Sequence, residues 1–347
     1  MAYNNNYCII LAGGVGRRLW PVSREKLPKQ FVDFLGTNRT LLQQTFDRYR
    51  KIVPTDHIII STHVTYKDIV LEQLPELNEN QLILEPMRRN TAPSIYWACS
   101  LIQQKNANAN IIVAPTDHVI LKEDEFCKAI NNGLEFIDRH PYLLTLGIKP
   151  NSPVTEYGYI QLTDEKEDRF IKVKTFVEKP QLEFAKIFVD SGEFYWNSGI
   201  FLWNVDTAMR AFAKYMPEIC TKLSNGIEEF STCPNISIDY AVMEKADNVY
   251  VQLCDFGWAD LGTWELMYQH HDKDKHQNVT LSGETMLYDC ENNIITAPKD
   301  NIIIAQGLKD YLIAVKDKVI LICKKDDNAA IRKFYNKLQM KSGEKYI

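Results

Sequence analysis

The sequence predicts an α/β protein, Rossmann-like in plan, with a mostly parallel mixed sheet flanked by helices and a small β-rich unit at its carboxyl end. Three observations carry that prediction. Short apolar runs alternate with helix-period stretches through the first 150 residues. The first run ends directly in a glycine-rich loop. After about residue 275, strand-like runs follow one another, with no helix signal before Ala329.

The elements follow in chain order. Residues 7–12 are a short apolar run ending in glycines, as a buried strand would be. Leu41, Leu42, Thr45, Phe46, Tyr49, Ile52 and Val53 recur at helical spacing. Residues 57–61 and 81–85 are strand-like again. Asn90 or Thr91 can cap the next helix, Pro93 suits its first turn, and Ile95, Ala98, Cys99 and Ile102 form its apolar face. Residues 110–114 and 142–146 are further strands. Such alternation implies parallel strands covered on both faces, with ligands at the carboxyl ends of the strands. Residues 170–177 alternate apolar and polar side chains, as a half-exposed strand does. Strand-like runs then occupy 285–288, 292–296, 301–305, 312–315 and 319–323, and a closing helix spans 329–338. That spacing suits a short β-helix or a small sandwich. The expected division is residues 1–270 and residues 276–347.

Composition narrows the class. The chain has 347 residues, 45% hydrophobic and 24% charged, as in ordinary globular proteins. No stretch approaches the roughly 20 apolar residues of a membrane span. Residues 1–7 are polar and lack the apolar core of a signal peptide, so a cytoplasmic, membrane-free protein is expected. Eight cysteines form no CxxC pair, which favours free thiols over a zinc site or a disulfide framework. A net charge of −5 argues against general nucleic-acid affinity. Yet Arg17, Arg18, Arg24, Lys26 and Lys29 are five cations in thirteen residues, with Glu25 the single acid. Beside glycines, that segment points to a small polyanionic ligand.

The loop itself reads Gly13-Gly14-Val15-Gly16-Arg17-Arg18. Glycines let backbone N–H groups approach phosphate oxygens, and arginine adds paired donors. A dinucleotide fingerprint requires glycine where Leu19 stands, and no Gly-Lys-Ser/Thr of a P-loop is present.

The full string through Leu19-Trp20-Pro21, Ser23-Arg24 and Pro28-Lys29-Gln30-Phe31 closely resembles the signature of the mannose-1-phosphate guanylyltransferases, bacterial type. Later segments agree in order: Glu85-Pro86 through Asn90-Thr91-Ala92-Pro93, Pro115-Thr116-Asp117-His118, and Glu156-Tyr157-Gly158-Tyr159-Ile160. Phe176-Val177-Glu178-Lys179-Pro180, Tyr195 through Phe201, Ser237-Ile238-Asp239-Tyr240 and Trp258 through Trp264 complete the set. The resemblance covers about residues 8–265 and is weaker beyond 275. The bacterial type also occurs fused to a phosphomannose isomerase domain. The chain ends without room for one, so isomerase activity is expected to be absent.

The resemblance implies a nucleotide-diphospho-sugar transferase fold and a reaction of GTP with mannose 1-phosphate that gives GDP-mannose and diphosphate. It implies Mg2+, held by Asp117 and Asp260. Arg17 and Lys29 would face the leaving phosphates, and Arg18 would join them or pair with a nearby carboxylate. His118 would orient Asp117 or cap a turn. Leu11, Ala12, Gly13, Gly14 and Gly16 would meet the nucleotide through their backbone. Asn90, Thr91 and Ala92 would lie against the base, although Asn90 and Thr91 suit plain helix capping equally well. Tyr157, Gly158, Asn197 and Gly199 would form the sugar pocket, while Trp196 and Phe201 suit the core more than a platform beneath the sugar. Lys179 would hold the sugar phosphate and Glu178 the sugar hydroxyls. Neighbours on a strand point to opposite faces, so this requires the strand to end or bend there. Family members commonly self-associate, so a homodimer is expected. The rival readings are a sibling enzyme for another sugar phosphate or nucleotide, and a catalytically inactive sensor of GDP-mannose.

Overall fold

In the computed structural model, which describes residues 5–224 and 226–347, the alternating apolar runs become one nine-stranded sheet. Residues 1–4 of the polar amino-terminal stretch lie outside the described residues. The strands are β1 (Asn6–Leu11), β2 (Ile58–His63), β3 (Leu82–Glu85), β4 (Asn110–Pro115), β5 (His118–Ile120), β6 (Leu143–Ile148), β7 (Gly158–Glu167), β8 (Phe170–Val177), β9 (Phe194–Asn204) and β10 (Val249–Cys254). Their order is β3-β2-β1-β4-β9-β6-β10-β8-β7, with β5 outside the sheet.

Pairing follows the local pattern. Where strands alternate with helices, β1, β2, β3 and β4 run parallel, and β6 runs parallel to β10. From Gly158 onward the chain is strand-rich, and β7 and β8 form an antiparallel hairpin. The long β9 then runs antiparallel to β4, β6 and β7. Strands covered on both faces lose their alternation: Ile9, Ile10, Ile58, Ile60 and all of Ile111 to Ala114 are fully buried. The helix Thr91–Lys105 lays Ile95, Ala98, Cys99 and Ile102 into the same core.

Packing divides the chain into two compact units, neither continuous in sequence. The first contains the segments through Gly13, Thr45–Thr116 and Ile120–Trp258. The second contains Gly14–Gln44, Asp117–Val119 and Ala259–Ile347. A division along the sequence near residue 270 keeps residues 14–44 with the sheet. Packing gathers them with the carboxyl-terminal residues, because Leu19, Trp20, Phe34 and Leu41 share a core with Trp264, Ile294, Leu312 and Ile331.

The remaining strands are β11 (Trp258–Asp260), β12 (Val279–Ser282), β13 (Glu284–Tyr288), β14 (Ile294–Thr296), β15 (Ile302–Gln306), β16 (Tyr311–Lys316) and β17 (Val319–Lys324). Strands β12, β14 and β16 stack in parallel, and so do β13 and β15. Successive strands therefore alternate between two parallel sheets, which is a short β-helix and not a sandwich. Buried Asn278 and Asn293 hold its turns: Asn293 donates to Leu308 O and accepts from Tyr311 N–H, both within 2.9 Å. Strand β17 folds back antiparallel on β16, and the helix Asn328–Ser342 closes the unit. All eight cysteines carry free thiols.

Candidate active site

In the second unit, the glycine loop, Lys29 and two carboxylates converge. Gly16 has φ +66°, and a Cβ there would lie 2.7 Å from Ser23 Oγ and 2.9 Å from Lys29 Cγ. Only glycine satisfies both the left-handed backbone and the close approach. Ser23, itself fully buried, donates to Val15 O at 2.8 Å and pins the loop. Lys29 Nζ donates to Asp117 Oδ2. Burial acts to raise the Asp117 carboxyl, but the charges of Lys29 and His118 outweigh it and hold the group below the usual carboxylate range. Leu261 N–H donates to Asp117 O at 2.9 Å, so the segment carrying Asp260 is tied to the one carrying Asp117.

Asp260 is the contrasting member. Burial and then the charge of Asp117 push its carboxyl up to about 7, against Lys29 and Arg18. Its Oδ1 is buried with no hydrogen-bond partner. At Gly262 a Cβ would crowd that oxygen at 3.2 Å. An orphaned oxygen on one of two neighbouring carboxylates fits a hard divalent cation, which takes one or two carboxylates and fills its shell with phosphate and water. Among the described residues no group of three or more His, Cys, Asp or Glu side chains could hold a metal ion.

Arg17 is held from an unexpected direction. Its guanidinium lies 5.2 Å from the centroid of the Tyr335 ring, on the closing helix. Glu25 Oε1 meets Arg17 at 3.4 Å and accepts from the Tyr335 hydroxyl at 3.2 Å. No sequence signal linked Tyr335 to a loop hundreds of residues earlier.

In the first unit, β1 ends where Ala12 N–H donates to Ser61 O at 2.7 Å and Ala12 O accepts from Thr62 Oγ1 at 2.8 Å. Leu11 O accepts from Thr116 Oγ1 at 3.1 Å. Gly13 faces Glu85, whose Oε2 would lie 3.5 Å from a Cβ at Gly13. Glu85, named in the sequence only as part of a motif, is buried and accepts from Ser61 Oγ at 2.9 Å. Burial pushes its carboxyl up, against the Ser94 and Ser61 hydroxyls. Asn90 Oδ1 accepts from Thr91 N–H at 2.9 Å, and Thr91 Oγ1 accepts from Ile238 N–H at 2.9 Å. Ala92 N–H donates to Ile236 O. These side chains thus cap the helix and tether the 236–239 segment to it.

The condition set for Glu178 and Lys179 is met. Strand β8 ends at Val177, and Lys179 has φ +48°, so the two residues no longer alternate. Lys179 Nζ donates to Glu178 Oε1. The glycine at 158 makes room for the Glu178 carboxylate: a Cβ there would meet Oε2 at 2.5 Å. Asn197 is buried with its amide largely engaged. Its Oδ1 accepts from Thr145 Oγ1 at 2.8 Å and from Gly199 N–H at 3.2 Å, and its Nδ2 donates to Asp239 Oδ1 at 2.9 Å. Gly199 holds φ +72°. Tyr157 is buried, with Trp196 and Trp258 packed edge-on at 5.0 and 4.9 Å. Trp196 and Phe201 are core residues.

A glycine-rich loop followed by cations and a lysine set against two carboxylates are features of the nucleotidyl transferase class, and the nucleotidyl transferase family model matches residues 7–277. A mannose-1-phosphate guanylyltransferase of Escherichia coli is 35% identical over 97% of this chain and 76% of its own length. One from Salmonella montevideo is 35% identical over 98% and 75%. A crystal structure from Thermus thermophilus, described as a mannose-1-phosphate geranyltransferase, superposes with TM-score 0.89 at 29% identity, covering 96% of this chain and 99% of that one. The chain belongs to the mannose-1-phosphate guanylyltransferase branch of the nucleotidyl transferase family.

Proposed function

We propose that this chain transfers the guanylyl group of GTP to mannose 1-phosphate, giving GDP-mannose and diphosphate. The observation that carries the reaction class is the Lys29–Asp117–Asp260 set beside a glycine loop: a cation and two carboxylates, one with an orphaned oxygen. The substrates follow from the relatives' names. An ionised oxygen of the sugar phosphate attacks the α-phosphorus, the bond to the bridging β-oxygen breaks, and diphosphate leaves with that electron pair. No proton need move, which agrees with a site built from charges and not around a nucleophile and base.

Arg17, Lys29 and the backbone of Gly14 and Gly16 bind the β- and γ-phosphates, with Arg18 beside Asp260. Asp117 and Asp260 would hold Mg2+, which when bound neutralises phosphate charge and stabilises the departing diphosphate. Lys179 takes the phosphate of the sugar, and Glu178 accepts from its hydroxyls. Glu85, at Gly13, is an acceptor suited to the N1–H and N2–H donors of guanine, which adenine does not present in that arrangement. We also read the protein as cytoplasmic, where GTP is available; no described helix is long and apolar enough to cross a membrane. We read it as a homodimer too. Exposed Met286, Tyr288, Ile302 and Ile304 on β13 and β15 support that reading.

The test is diphosphate release by purified protein with GTP and mannose 1-phosphate, with and without Mg2+, beside ATP, UTP, CTP and glucose 1-phosphate. Release confined to the GTP and mannose 1-phosphate pair, and abolished by chelation, is expected. Release with another pair would rename the substrates. Absence of release with every pair would leave the sensor reading.

A further inference from the structure

We propose that the second unit holds a second anion site, apart from the glycine loop, which takes an organic phosphate and tunes nucleotide binding. It is a pocket between the turn Arg24–Leu27, the turn that joins β16 to β17, and residues 345–347. The effect on the nucleotide rests on the functional reading above; the binding itself does not.

The pocket has a volume of about 460 Å3, within the roughly 300–1,000 Å3 usual for small-molecule sites. Four cations, Arg24, Lys26, Lys316 and Lys345, line it with one acidic side chain, Asp317. Even counting a carboxylate at Ile347, cations outnumber acids four to two. They come from three separate stretches of a chain whose net charge is −5. Folding accounts for one of them. The Arg24 side chain is 13% exposed, and its guanidinium donates to Pro21 O at 2.9 Å and to Lys316 O at 2.7 Å. It also meets Asp317 Oδ2 at 3.2 Å, so Arg24 ties the two turns together and leaves Asp317 paired. Lys26, Lys316 and Lys345 form no ion pair among the described residues. Gathering like charges in one pocket costs stability unless an anion offsets it. The remaining lining, Val22, Leu27 and Ile347, is apolar. A bare phosphate answers the lysines alone, whereas a phosphate ester with an apolar body covers both kinds of surface.

The pocket reaches the glycine loop through the backbone. Arg24 N–H donates to Leu27 O at 3.0 Å and Leu27 N–H donates to Arg24 O at 3.2 Å, which closes a four-residue turn. Arg24 and Lys26 line the pocket, whereas Glu25 between them meets Arg17 at 3.4 Å and the Tyr335 hydroxyl at 3.2 Å. An anion that draws Lys26 and Arg24 toward it moves the turn, and Glu25 moves with the turn. That changes how readily Arg17 leaves Glu25 for the phosphates of a nucleotide. The two sites are thereby coupled, and such coupling is reciprocal.

The experiment titrates phenyl phosphate, a phosphate ester with an apolar body, into the full chain by calorimetry. Wild type, Lys316→Gln/Lys345→Gln and Lys29→Gln are compared, with Tm measured on each preparation. The double variant removes two cations that form no ion pair, so its Tm should match wild type. It is expected to weaken binding by about 5–50-fold, the loss of two charge-assisted contacts at a partly exposed site, while Lys29→Gln stays within about twofold of wild type. Inorganic phosphate should bind wild type about tenfold more weakly, for want of the apolar contact. Phenyl phosphate should shift Kd for GTP at least about twofold in wild type and not in the double variant, and GTP should shift Kd for phenyl phosphate by the same factor. Loss of binding in Lys29→Gln alone would put the anion on the glycine loop and overturn the proposal. Equal affinity in wild type and the double variant, or no binding by wild type, would also overturn it. An unchanged Kd for GTP would overturn the tuning of the nucleotide, and equal affinity for inorganic phosphate would overturn the choice of an ester. If GTP itself does not bind, the functional reading fails, while the phenyl phosphate titration still decides the pocket.

Discussion

Gly158→Ala separates binding from folding more cleanly than removal of a charged residue. Gly158 opens β7 with an ordinary backbone, so alanine adds no left-handed strain. Its new Cβ would meet Glu178 Oε2 at 2.5 Å and Asn197 Cβ at 3.5 Å. The second contact is ordinary. The first forces the carboxylate end of a flexible side chain to move by about 1 Å, which the protein accommodates without repacking. Stability should therefore change by less than about 1 kcal/mol, or roughly 1–2 °C in Tm for a chain of this size. Binding of the sugar should suffer far more. Misplacing one charge-assisted hydrogen bond costs about 1.5–3 kcal/mol, hence roughly 10–150-fold in KM for mannose 1-phosphate. KM for GTP should not move. Thermal unfolding and two-substrate kinetics on one preparation decide it. A normal sugar-phosphate KM with a normal Tm would refute the placement of Glu178 on the sugar hydroxyls.

Gly16→Ala is the converse case. The φ of +66° and the approach to Ser23 and Lys29 add about 1–3 kcal/mol of strain, so Tm should fall by a few degrees and KM for GTP should rise; wild-type values of both would remove Gly16 from the phosphate loop. Tyr335→Leu removes the ring beneath Arg17 and should raise KM for GTP several-fold, with Tyr335→Phe recovering most of it. Equal effects of the two variants would show that the ring does not position Arg17. Asp239 also gives a pH prediction. Its carboxyl stands near 6 against an ordinary 3.8, so the folded state keeps a proton that the unfolded chain has lost. Stability contributed by that group therefore falls as pH rises from about 4 to 6 and stays lost above, by on the order of 1–3 kcal/mol. Urea unfolding at pH 5 and pH 8 should show a smaller decline in Asp239→Asn than in wild type, the remainder coming from other raised carboxyls such as Asp260; equal declines would refute it.

Much of the candidate site was legible because its signals are local. Glycines beside cations can be read from adjacent positions, and adjacent roles for Glu178 and Lys179 required the strand end that β8 shows. The roles of Asn90 and Thr91 stayed open because the atoms that cap a helix also suit a base. Only the Ile238 N–H at Thr91 Oγ1 shows how the threonine is engaged. Asp239 and Glu85 were quoted within motifs and given no role, since burial and charged neighbours are what distinguish a functional carboxylate from a solvated one. Strand spacing alone left a β-helix and a sandwich equally open, because spacing does not record which strands pair.

The sequence by itself determined the α/β class, the glycine loop with its cations, the strand-rich carboxyl-terminal segment and the family. Each is set by short-range periodicity, backbone conformational freedom or adjacent residue types. The tertiary structure alone decided that residues 14–44 pack with residues 259–347, that Tyr335 holds Arg17, and that Asn197 faces Asp239. Those pairings join residues tens to hundreds of positions apart. Burial and closing distances select them, and neither quantity exists until the chain has folded.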